Sequence, residues 1–379
     1  MRRIYLDNAA TGLPKAPGVG QAMAQFVESR AYNIGRGSYL EAVDETTEVY
    51  AVRQALCRLM GFGGDPRQCA FSAGVTMSLN LLLQGLLPPG RHMLMSAMEH
   101  NAVARCAELL RTRGVEVDLI PCDHDGHIRL ETVCGLIRPN TVLACVQHAS
   151  NVSGTIQPLA ELGEILRQQG VFLIVDCAQT AGHLPIEMDA WGISAVAFPG
   201  HKGLLGPQGI GGAILTPELT ECLRPVLAGG TGSASSSLDM PPQMPDKLEA
   251  GTLNLPGICG LGAALRYISE VGISDISARE NALTSRFLDA LSDNPHIFVP
   301  GSRARAPVVS VQFLRRDNAE AAALLEREYG ILTRCGLHCA PLAHRTLGTY
   351  PAGTVRFSLG CATTQDEIDH AIRAIEVIS

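Results

Sequence analysis

The sequence predicts an α/β protein in which a mostly parallel central sheet carries helices on both faces, followed by a smaller α+β domain at the C-terminal end. Between residues 69 and 215, short apolar segments alternate with amphipathic ones, a pattern typical of strands that alternate with helices. Several apolar segments lack polar residues at every second position, as strands covered on both faces do. Beyond residue 229 this alternation stops and the composition changes.

The large domain is predicted over residues 21–250, behind an N-terminal arm at 1–20. Its clearest helix runs over 158–169, because Pro158 suits a helix start and Gly170 suits a helix end. Six segments have the length and apolar character of buried strands: 92–96, 115–121, 141–147, 171–176, 194–198 and 212–215.

Residues 251–379 predict the smaller α+β domain. A Gly/Ser/Pro-rich stretch at 229–245 precedes it and predicts a long surface loop. The pattern then predicts a helical stretch at 256–294, a strand at 307–313, a helix at 318–329, a strand at 354–359 and a final helix at 364–378.

The composition restricts the class of protein. The 379 residues suffice for two domains, and 46% of them are hydrophobic. Only 18% are charged, below the usual ~25%, which suits much buried surface or pairing with a second chain. A net charge of −7 argues against nucleic-acid binding. The longest apolar run, at 79–87, is too short to span a membrane.

Twelve cysteines occur at scattered spacings. The N-terminal residues show no apolar signal core, so we expect reduced thiols in the cytoplasm and not a disulfide framework. Most of these cysteines should be small buried hydrophobic residues.

Three segments should converge beyond the carboxyl ends of the predicted strands, where open α/β sheets bind ligands. Segment 71–80 is a turn of small residues entering an apolar helix, which suits either a phosphate or a plain capped helix start. Asp176 ends a buried strand and requires a cation or several donors, so it is a helix cap, a buried ion pair or the partner of a protonated pyridine nitrogen. Lys202 comes after a strand in a Gly-rich turn, where a sheltered amine can form an imine.

These segments and others resemble the class V aminotransferase superfamily and, within it, the cysteine desulfurases and selenocysteine lyases. The resemblance runs nearly end to end, through residues 5–11, 33–37, 99–101, 150–154, 176–179, 200–202, 248–252, 334–340 and 355–358. It implies pyridoxal 5′-phosphate (PLP) as cofactor, the PLP fold type I architecture for the large domain, and a homodimer.

The resemblance also implies individual roles around the PLP ring. Lys202 is similar to the lysine that holds the cofactor as a Schiff base and shuttles protons. Asp176 would pair with the pyridine nitrogen, and Gln179 would hydrogen-bond the phenolic oxygen. His100 would stack on the ring and assist proton transfer, although a capping or core histidine is the alternative.

By the same resemblance, the PLP phosphate would be bound by residues 75 and 76, namely the Val75 and Thr76 backbone and the Thr76 hydroxyl, together with His201. Thr252 is similar to a residue that reaches the phosphate of the neighbouring subunit. Arg36 would also complete the site across subunits.

Substrate recognition is implied for Arg356, whose guanidinium suits bidentate pairing with a carboxylate. Asn151 would assist it and also contact the cofactor, and Arg334 would lie at the same substrate site. A structural charge at a strand end is the alternative for Arg356.

Cys339 is implied to be the sulfur-accepting nucleophile, five positions after Arg334. Arg334 and His338 would favour its thiolate. A buried structural thiol is one alternative. Metal binding with Cys335, His338 and His344 is another, but the spacing matches no standard zinc pattern.

Four positions depart from the family pattern. Pro199 stands where relatives usually carry Ser or Thr, and it offers the phosphate neither hydroxyl nor N–H. A hydrogen bond to a charged group is worth roughly 1.5–3 kcal/mol, so PLP affinity should fall roughly ten- to a hundredfold unless something compensates. Gly35 and Tyr39 stand where relatives often have His, and Val75 where Thr is common, which bears on acceptor or substrate preference.

The predicted function is therefore PLP-dependent release of sulfur from L-cysteine, through a Cys339 persulfide passed to an acceptor protein, with L-alanine as product. Selenocysteine lyase is the near alternative, with L-selenocysteine as substrate. Another class V reaction, such as transamination or a different C–S lyase, is a third. A PLP- or thiol-carrying binding protein without turnover is the non-enzyme alternative, and Pro199 is its best support.

Overall fold

The computed structural model of the chain describes residues 3–34, 37 and 39–379. Its strands are β1 (Ile4–Tyr5), β2 (Cys69–Ser72), β3 (His92–Ser96), β4 (Glu116–Ile120), β5 (Thr141–Gln147), β6 (Phe172–Asp176), β7 (Ala195–Pro199), β8 (Gly211–Leu215), β9 (Ile297–Phe298), β10 (Val308–Phe313), β11 (Ile331–Leu332), β12 (Arg334–Gly336) and β13 (Thr354–Ser358). Its helices are α1 (Val19–Ser29), α2 (Leu40–Leu59), α3 (Val75–Leu86), α4 (Asn101–Arg111), α5 (Val133–Leu136), α6 (Leu159–Gln168), α7 (Pro217–Cys222), α8 (Leu255–Val271), α9 (Ile273–Leu291), α10 (Asn318–Tyr329), α11 (Pro341–Thr346) and α12 (Gln365–Ile378).

The central sheet has seven strands in the order β2-β8-β7-β6-β5-β3-β4. The five strands from β3 to β7 run parallel, whereas β8 is antiparallel to both β7 and β2. The six predicted strands are confirmed to within one residue at each end. The predicted fold class is therefore confirmed.

Both faces of this sheet are covered, which explains the apolar runs. In β6, Leu173 and Val175 pack into a core formed with α2, α6 and α8. Ile174, between them, packs into a second core formed with α3, α4 and α7. Successive side chains of a strand point to opposite faces, so a strand buried on both sides has no solvent-facing position and is apolar along most of its length.

A second sheet, antiparallel in the order β12-β13-β10-β9, lies in the C-terminal part of the chain. Helices α9, α10 and α12 pack on it. The N-terminal segment joins this core, because β1 pairs with β11 and Leu6 is fully buried there. Farther along, Ala16 and Val19 pack against α8. The division into 1–20, 21–250 and 251–379 stays a prediction.

Some predicted elements differ from the structure. The single helical stretch at 256–294 is two helices, α8 and α9, because Gly272 between them has a φ of 89° that favours glycine. The predicted loop at 229–245 contains neither helix nor strand. Among the described helices, none combines the length and apolar character needed to cross a bilayer.

A buried ion pair joins α2 to the segment that leads to Thr252. Both Nη atoms of Arg53 lie 2.7 Å from the carboxylate oxygens of Glu249. Glu249 also accepts a hydrogen bond of 2.6 Å from the Phe71 N–H, and the guanidinium lies 4.6 Å from the centre of the Phe71 ring. This pair therefore ties α2, β2 and residues 248–252 together.

Replacing Arg53 with methionine should strongly destabilise the protein, because it leaves the Glu249 carboxylate buried without its cation. Breaking a buried pair from one side typically costs about 3–5 kcal/mol. We expect a clearly lower urea midpoint in equilibrium unfolding of the full chain. Arg67→Met, which breaks an exposed pair with Asp65, is the matched control and should leave the midpoint unchanged. Equal midpoints for the two variants would contradict the assignment.

Candidate active site

A pocket opens at the carboxyl ends of β5, β6 and β7, with an empty volume of about 520 Å³ including its mouth. Parallel strands bring their carboxyl ends to one edge of a sheet, so side chains located just after these strands meet there. Eight predicted site residues line it together with Gln147, Ala149 and Ala178: Val75, Thr76, His100, Asn151, Asp176, Gln179, His201 and Lys202. A larger groove between α2 and α8 contains none of the predicted site residues.

The amine of Lys202 has a pKa below that of an ordinary lysine. Burial lowers its pKa to about 8, and the positive charges of Arg356 and Arg334 act in the same direction. Asp176 opposes this shift through its negative charge. A neutral amine is the nucleophilic form, so Lys202 is suited to condense with an aldehyde.

Asp176 is the buried carboxyl group of the pocket. Burial raises its pKa, while the Ala178 N–H, 2.9 Å from Oδ1, and the charge of Lys202 lower it. It makes no salt bridge with any described residue. A carboxylate in this position favours a bound group with a positive charge.

The pKa of Lys202 predicts how fast its amine condenses with an added aldehyde, such as PLP, at different pH values. The fraction of neutral amine rises as the pH passes through about 8, so the rate of imine formation should rise there and then level off. Stopped-flow absorbance between pH 6 and 10 measures it. Asp176→Asn removes the negative charge that raises the pKa of Lys202, so the midpoint of the rate–pH curve of this variant should lie at a lower pH. A rate that still climbs beyond pH 10 would contradict the burial effect.

His100 is both a helix cap and a pocket residue. Its Nδ1 accepts a hydrogen bond of 3.0 Å from the Ala102 N–H at the start of α4. Burial, followed by the charges of Lys202 and Arg356, lowers its pKa to about 4. His100 is therefore neutral near pH 7, with its proton on Nε2.

The start of α3 leaves backbone donors free at one end of the pocket. No side chain caps this helix, because Ser72 bonds instead to Gly74 and to the Ser78 hydroxyl. Val75 and Thr76, the first two residues of α3, line the pocket, with His201 also in its wall. Free N–H groups and the helix dipole at this end suit an anion.

The structure supports the chemical fit of a phosphorylated pyridine aldehyde. Oδ1 of Asn151 is buried without a hydrogen-bond partner in the described part of the chain, which is the state expected of an acceptor whose donor is a bound molecule. Free N–H groups, a buried carboxylate and an amine with a lowered pKa provide one partner each for a phosphate, a ring nitrogen and an aldehyde. The residues present therefore fit PLP.

Thr252 is exposed and does not line the pocket of its own chain. Its predicted contact with a neighbouring subunit stays a prediction. Arg36 and Gly35 lie outside the described residues, so the predictions made for them are not addressed by the structure.

Asp7 forms salt bridges with two arginines, and no role was predicted for it from the sequence. Oδ1 lies 2.9 Å from Nη2 of Arg356, and Oδ2 lies 3.1 Å from Nη2 of Arg334. Arg356 also donates to the Asn151 carbonyl oxygen at 3.1 Å, and its buried Nε has no partner among described residues. The only signal in the sequence was the motif at 5–11, because these partners lie more than 300 residues away.

Cys339 is exposed on a short loop beside this cluster. His338 and Cys339 both have left-handed backbone angles, with φ of 50° and 56°, which are unfavourable for residues other than glycine. The Asn101 N–H donates to the Cys339 carbonyl oxygen at 2.8 Å, and Asn151 donates to that of His338 at 2.7 Å. The loop is thus tied to the start of α4 and to the pocket wall.

The role expected of His338 requires a correction. Burial, with the charge of Arg356, lowers its pKa to about 2, and its Nε2 lies 3.0 Å from the Thr354 hydroxyl. His338 is therefore neutral and supplies no positive charge to a Cys339 thiolate. Arg334 and Arg356 are the cations near the loop.

The metal alternative involved Cys335, Cys339, His338 and His344. Within the described ranges, no group of three or more His, Cys, Asp or Glu side chains is placed to hold a metal ion. Cys335 packs instead against the core of the second sheet.

Comparisons with known proteins place this geometry in a family. The profile of the family described as "Aminotransferase class-V" matches residues 4–370. A cysteine desulfurase of Klebsiella pneumoniae subsp. pneumoniae is 34% identical over 384 residues, with 99% of this chain and 93% of that protein covered. A probable cysteine desulfurase of Methanothermobacter thermautotrophicus is 30% identical, with 99% and 94% covered.

Solved structures are similar over the same length. The apo structure of a cysteine desulfurase from Thermococcus onnurineus superposes with a TM-score of 0.91, at 29% identity and with 99% of this chain and 94% of that chain covered. An Escherichia coli cysteine desulfurase, described with an S-sulfonic acid, gives a TM-score of 0.88, at 29% identity and with 98% and 94% covered.

Proposed function

This chain belongs to the class V aminotransferase family, and from that premise we propose that it is a PLP-dependent cysteine desulfurase. The proposed reaction transfers the sulfur of L-cysteine to Cys339 as a persulfide and leaves L-alanine. One observation carries the proposal: an exposed cysteine is held on a strained loop tied to the wall of a pocket that contains Lys202 and Asp176.

The pocket residues would hold PLP from all sides. Lys202 would bind it covalently through its amine, and Asp176 would pair with the ring nitrogen. Val75, Thr76 and His201 would hold the phosphate. Gln179, whose Nε2 lies 3.2 Å from the Ala9 carbonyl oxygen, and Asn151 would fix the ring's oxygen substituent.

When bound, PLP supplies an electron sink for negative charge that forms on the substrate next to its carboxylate. Asp176 would keep the ring nitrogen positive and so deepen that sink. Lys202 would remove the proton from Cα of the substrate, because its pKa of about 8 lets Nζ both accept and return a proton near neutral pH. His100, neutral with its proton on Nε2, would assist proton transfer without adding charge.

Arg356 would orient the substrate by its carboxylate. Its guanidinium already holds the Asp7 carboxylate, and its free Nε shows that its donors are not exhausted. Arg334 would contribute a second positive charge from the adjacent strand, since the two arginines face each other across β12 and β13.

Sulfur transfer balances without an external oxidant. The Cys339 thiolate would attack Sγ of the substrate, so an S–S bond forms while the C–S bond breaks. The electron pair of the C–S bond remains on Cβ, which then takes a proton. The net change converts L-cysteine and a thiol into L-alanine and a Cys339 persulfide, which the exposure of Cys339 would let an acceptor protein reach.

A homodimer is part of the proposal. Four large side chains on or beside α2 are exposed, with relative exposures between 43% and 80%: Tyr39, Leu40, Val43 and Tyr50. An apolar surface of this kind suits burial against a second copy, and the exposed Thr252 would then reach the neighbouring site. Light scattering tests this, and a fully active monomer would contradict it. The twelve free thiols support a reducing compartment such as the cytoplasm.

The decisive experiment incubates the PLP-loaded protein with L-cysteine and a reductant and measures sulfide and alanine together. Equal release of both is the expected result. Pyruvate or another keto acid in place of alanine would favour a different class V reaction. No product from the loaded protein would favour a binding protein.

A further inference from the structure

A hydrogen-bond network connects the N-terminal segment to His201. Nζ of Lys15 lies 2.8 Å from the His201 carbonyl oxygen and 3.1 Å from the Thr11 hydroxyl. The Thr11 oxygen lies in turn 3.2 Å from Nδ1 of the His201 ring. The Gly12 N–H also donates to the His201 carbonyl oxygen, at 2.8 Å.

Counting donors and acceptors locates the protons of this network. A carbonyl oxygen has two lone pairs, and the two shortest bonds to that of His201 come from Gly12 and Lys15. Thr11, at 3.1 Å, is the third and longest candidate donor to it. The bonds from Gly12 and Lys15 use both lone pairs of the carbonyl oxygen, so the acceptor left for the proton of the Thr11 hydroxyl is Nδ1 of His201. The hydroxyl oxygen accepts from Lys15 at the same time.

We propose that Lys15 and Thr11 are positioning residues that fix His201 in the tautomer with its proton on Nε2, so that this ring presents an N–H donor to an anion at the phosphate end of the pocket. The proposal rests on the proposed function only in taking the anion to be the PLP phosphate. Nε2 of His201 has no partner within the described ranges, and the ring lines the pocket. It is thus the atom left to meet a ligand.

The tautomer matters because the imidazole is neutral. Burial and the charges of Lys202 and Lys15 lower the pKa of His201 to about 4, so near pH 7 only one of its nitrogens carries a proton. With the proton on Nδ1, the ring would turn a lone pair toward the phosphate and repel it. With the proton on Nε2, it donates.

The network also offers the compensation that Pro199 requires. Pro199 ends β7 and supplies no donor at a position where a hydroxyl is expected. Lys15 is half-buried, and no carboxylate in the described part of the chain forms a salt bridge with it. Its uncompensated positive charge, close to His201, adds to the attraction for an anion.

Nitrogen-15 NMR of the full chain labelled at histidine tests the tautomer without turnover. The two ring nitrogens give different shifts when protonated, and the signals of His201 are identified by their loss in His201→Asn. Nε2–H is expected in the wild type and in Thr11→Ser, which keeps the hydroxyl. Thr11→Val, similar in shape but without a donor, should shift His201 toward Nδ1–H or a mixture. Nδ1–H in the wild type would overturn the proposal.

Binding of PLP and of pyridoxal, which lacks the phosphate, tests the consequence. We expect Thr11→Val and Lys15→Met to weaken PLP binding roughly tenfold or more while pyridoxal affinity stays within about twofold, since a donor to a charged group is lost. Thr11→Ser should behave as the wild type. An unchanged ratio of the two affinities, or an equal loss for both ligands, would overturn the proposal. A wild type that binds PLP through this network yet releases no sulfide would overturn only the proposed reaction.

Discussion

Lys202→Ala should retain no covalently bound PLP, and its turnover of L-cysteine should fall by at least about 10³-fold. In the proposed mechanism one amine has two functions, because Lys202 would both hold the cofactor covalently and move the substrate proton. General acid–base catalysis alone supplies about 10²–10⁴-fold. No other described lysine lines the pocket to replace it.

The chain carries its own controls for this prediction, because it contains three lysines: Lys15, Lys202 and Lys247. Borohydride reduction of the PLP-loaded wild type, followed by peptide mapping, should place the label on Lys202 alone. Lys247 is buried and its amine donates a hydrogen bond to the Thr220 carbonyl oxygen, so it should stay unlabelled. Label on either of the other two, or more than a tenth of wild-type activity in Lys202→Ala with an unchanged melting curve, would contradict the assignment.

The sequence predicted the central sheet because burial on both faces leaves a local signature. Residues 172–175 are apolar at consecutive positions, and Leu173 and Ile174 indeed lie in different cores. The edge strand β2 left no such signature, since it is four residues long and runs antiparallel. The break at Gly272 was missed because the helical pattern continues on both sides of one residue.

Within the candidate site, local signals predicted the residues located at or just after the end of a strand. Asp176 ends β6, and Lys202 lies three residues beyond β7. The partners of Asp7 were not predictable, because only the fold brings Arg334 and Arg356 to it. Glu99 is a similar case: burial raises its pKa to about 8, and it accepts hydrogen bonds from the Gln147 N–H and the Ser96 hydroxyl. No local pattern distinguishes it from an exposed glutamate.

Cys339→Ala should lower the rate of sulfide release from L-cysteine at least about a thousandfold, while L-selenocysteine turnover stays within about tenfold of the wild type. A thiolate is required to take sulfur from the substrate, whereas selenium leaves its carbon readily without one. Alanine keeps a Cβ, so the backbone at φ 56° is no more strained than before. Coupled assays of sulfide, selenide and alanine measure the outcome. The control is Cys134→Ala, which removes another exposed thiol and should have wild-type activity on both substrates.

The two substrates together distinguish the possible roles of Cys339. Loss of activity on L-cysteine alone would assign Cys339 the sulfur-accepting role. Alkylation and mass spectrometry should then detect a persulfide in the wild type and not in Cys339→Ala. An equal loss of activity on both substrates would mean that the substitution had disrupted the loop, which is tied to Asn101 and Asn151. Cys339→Ser should then lose activity on both substrates as well. Undiminished cysteine activity would assign sulfur transfer to another group, and the strained conformation at His338 and Cys339 would then require a different explanation.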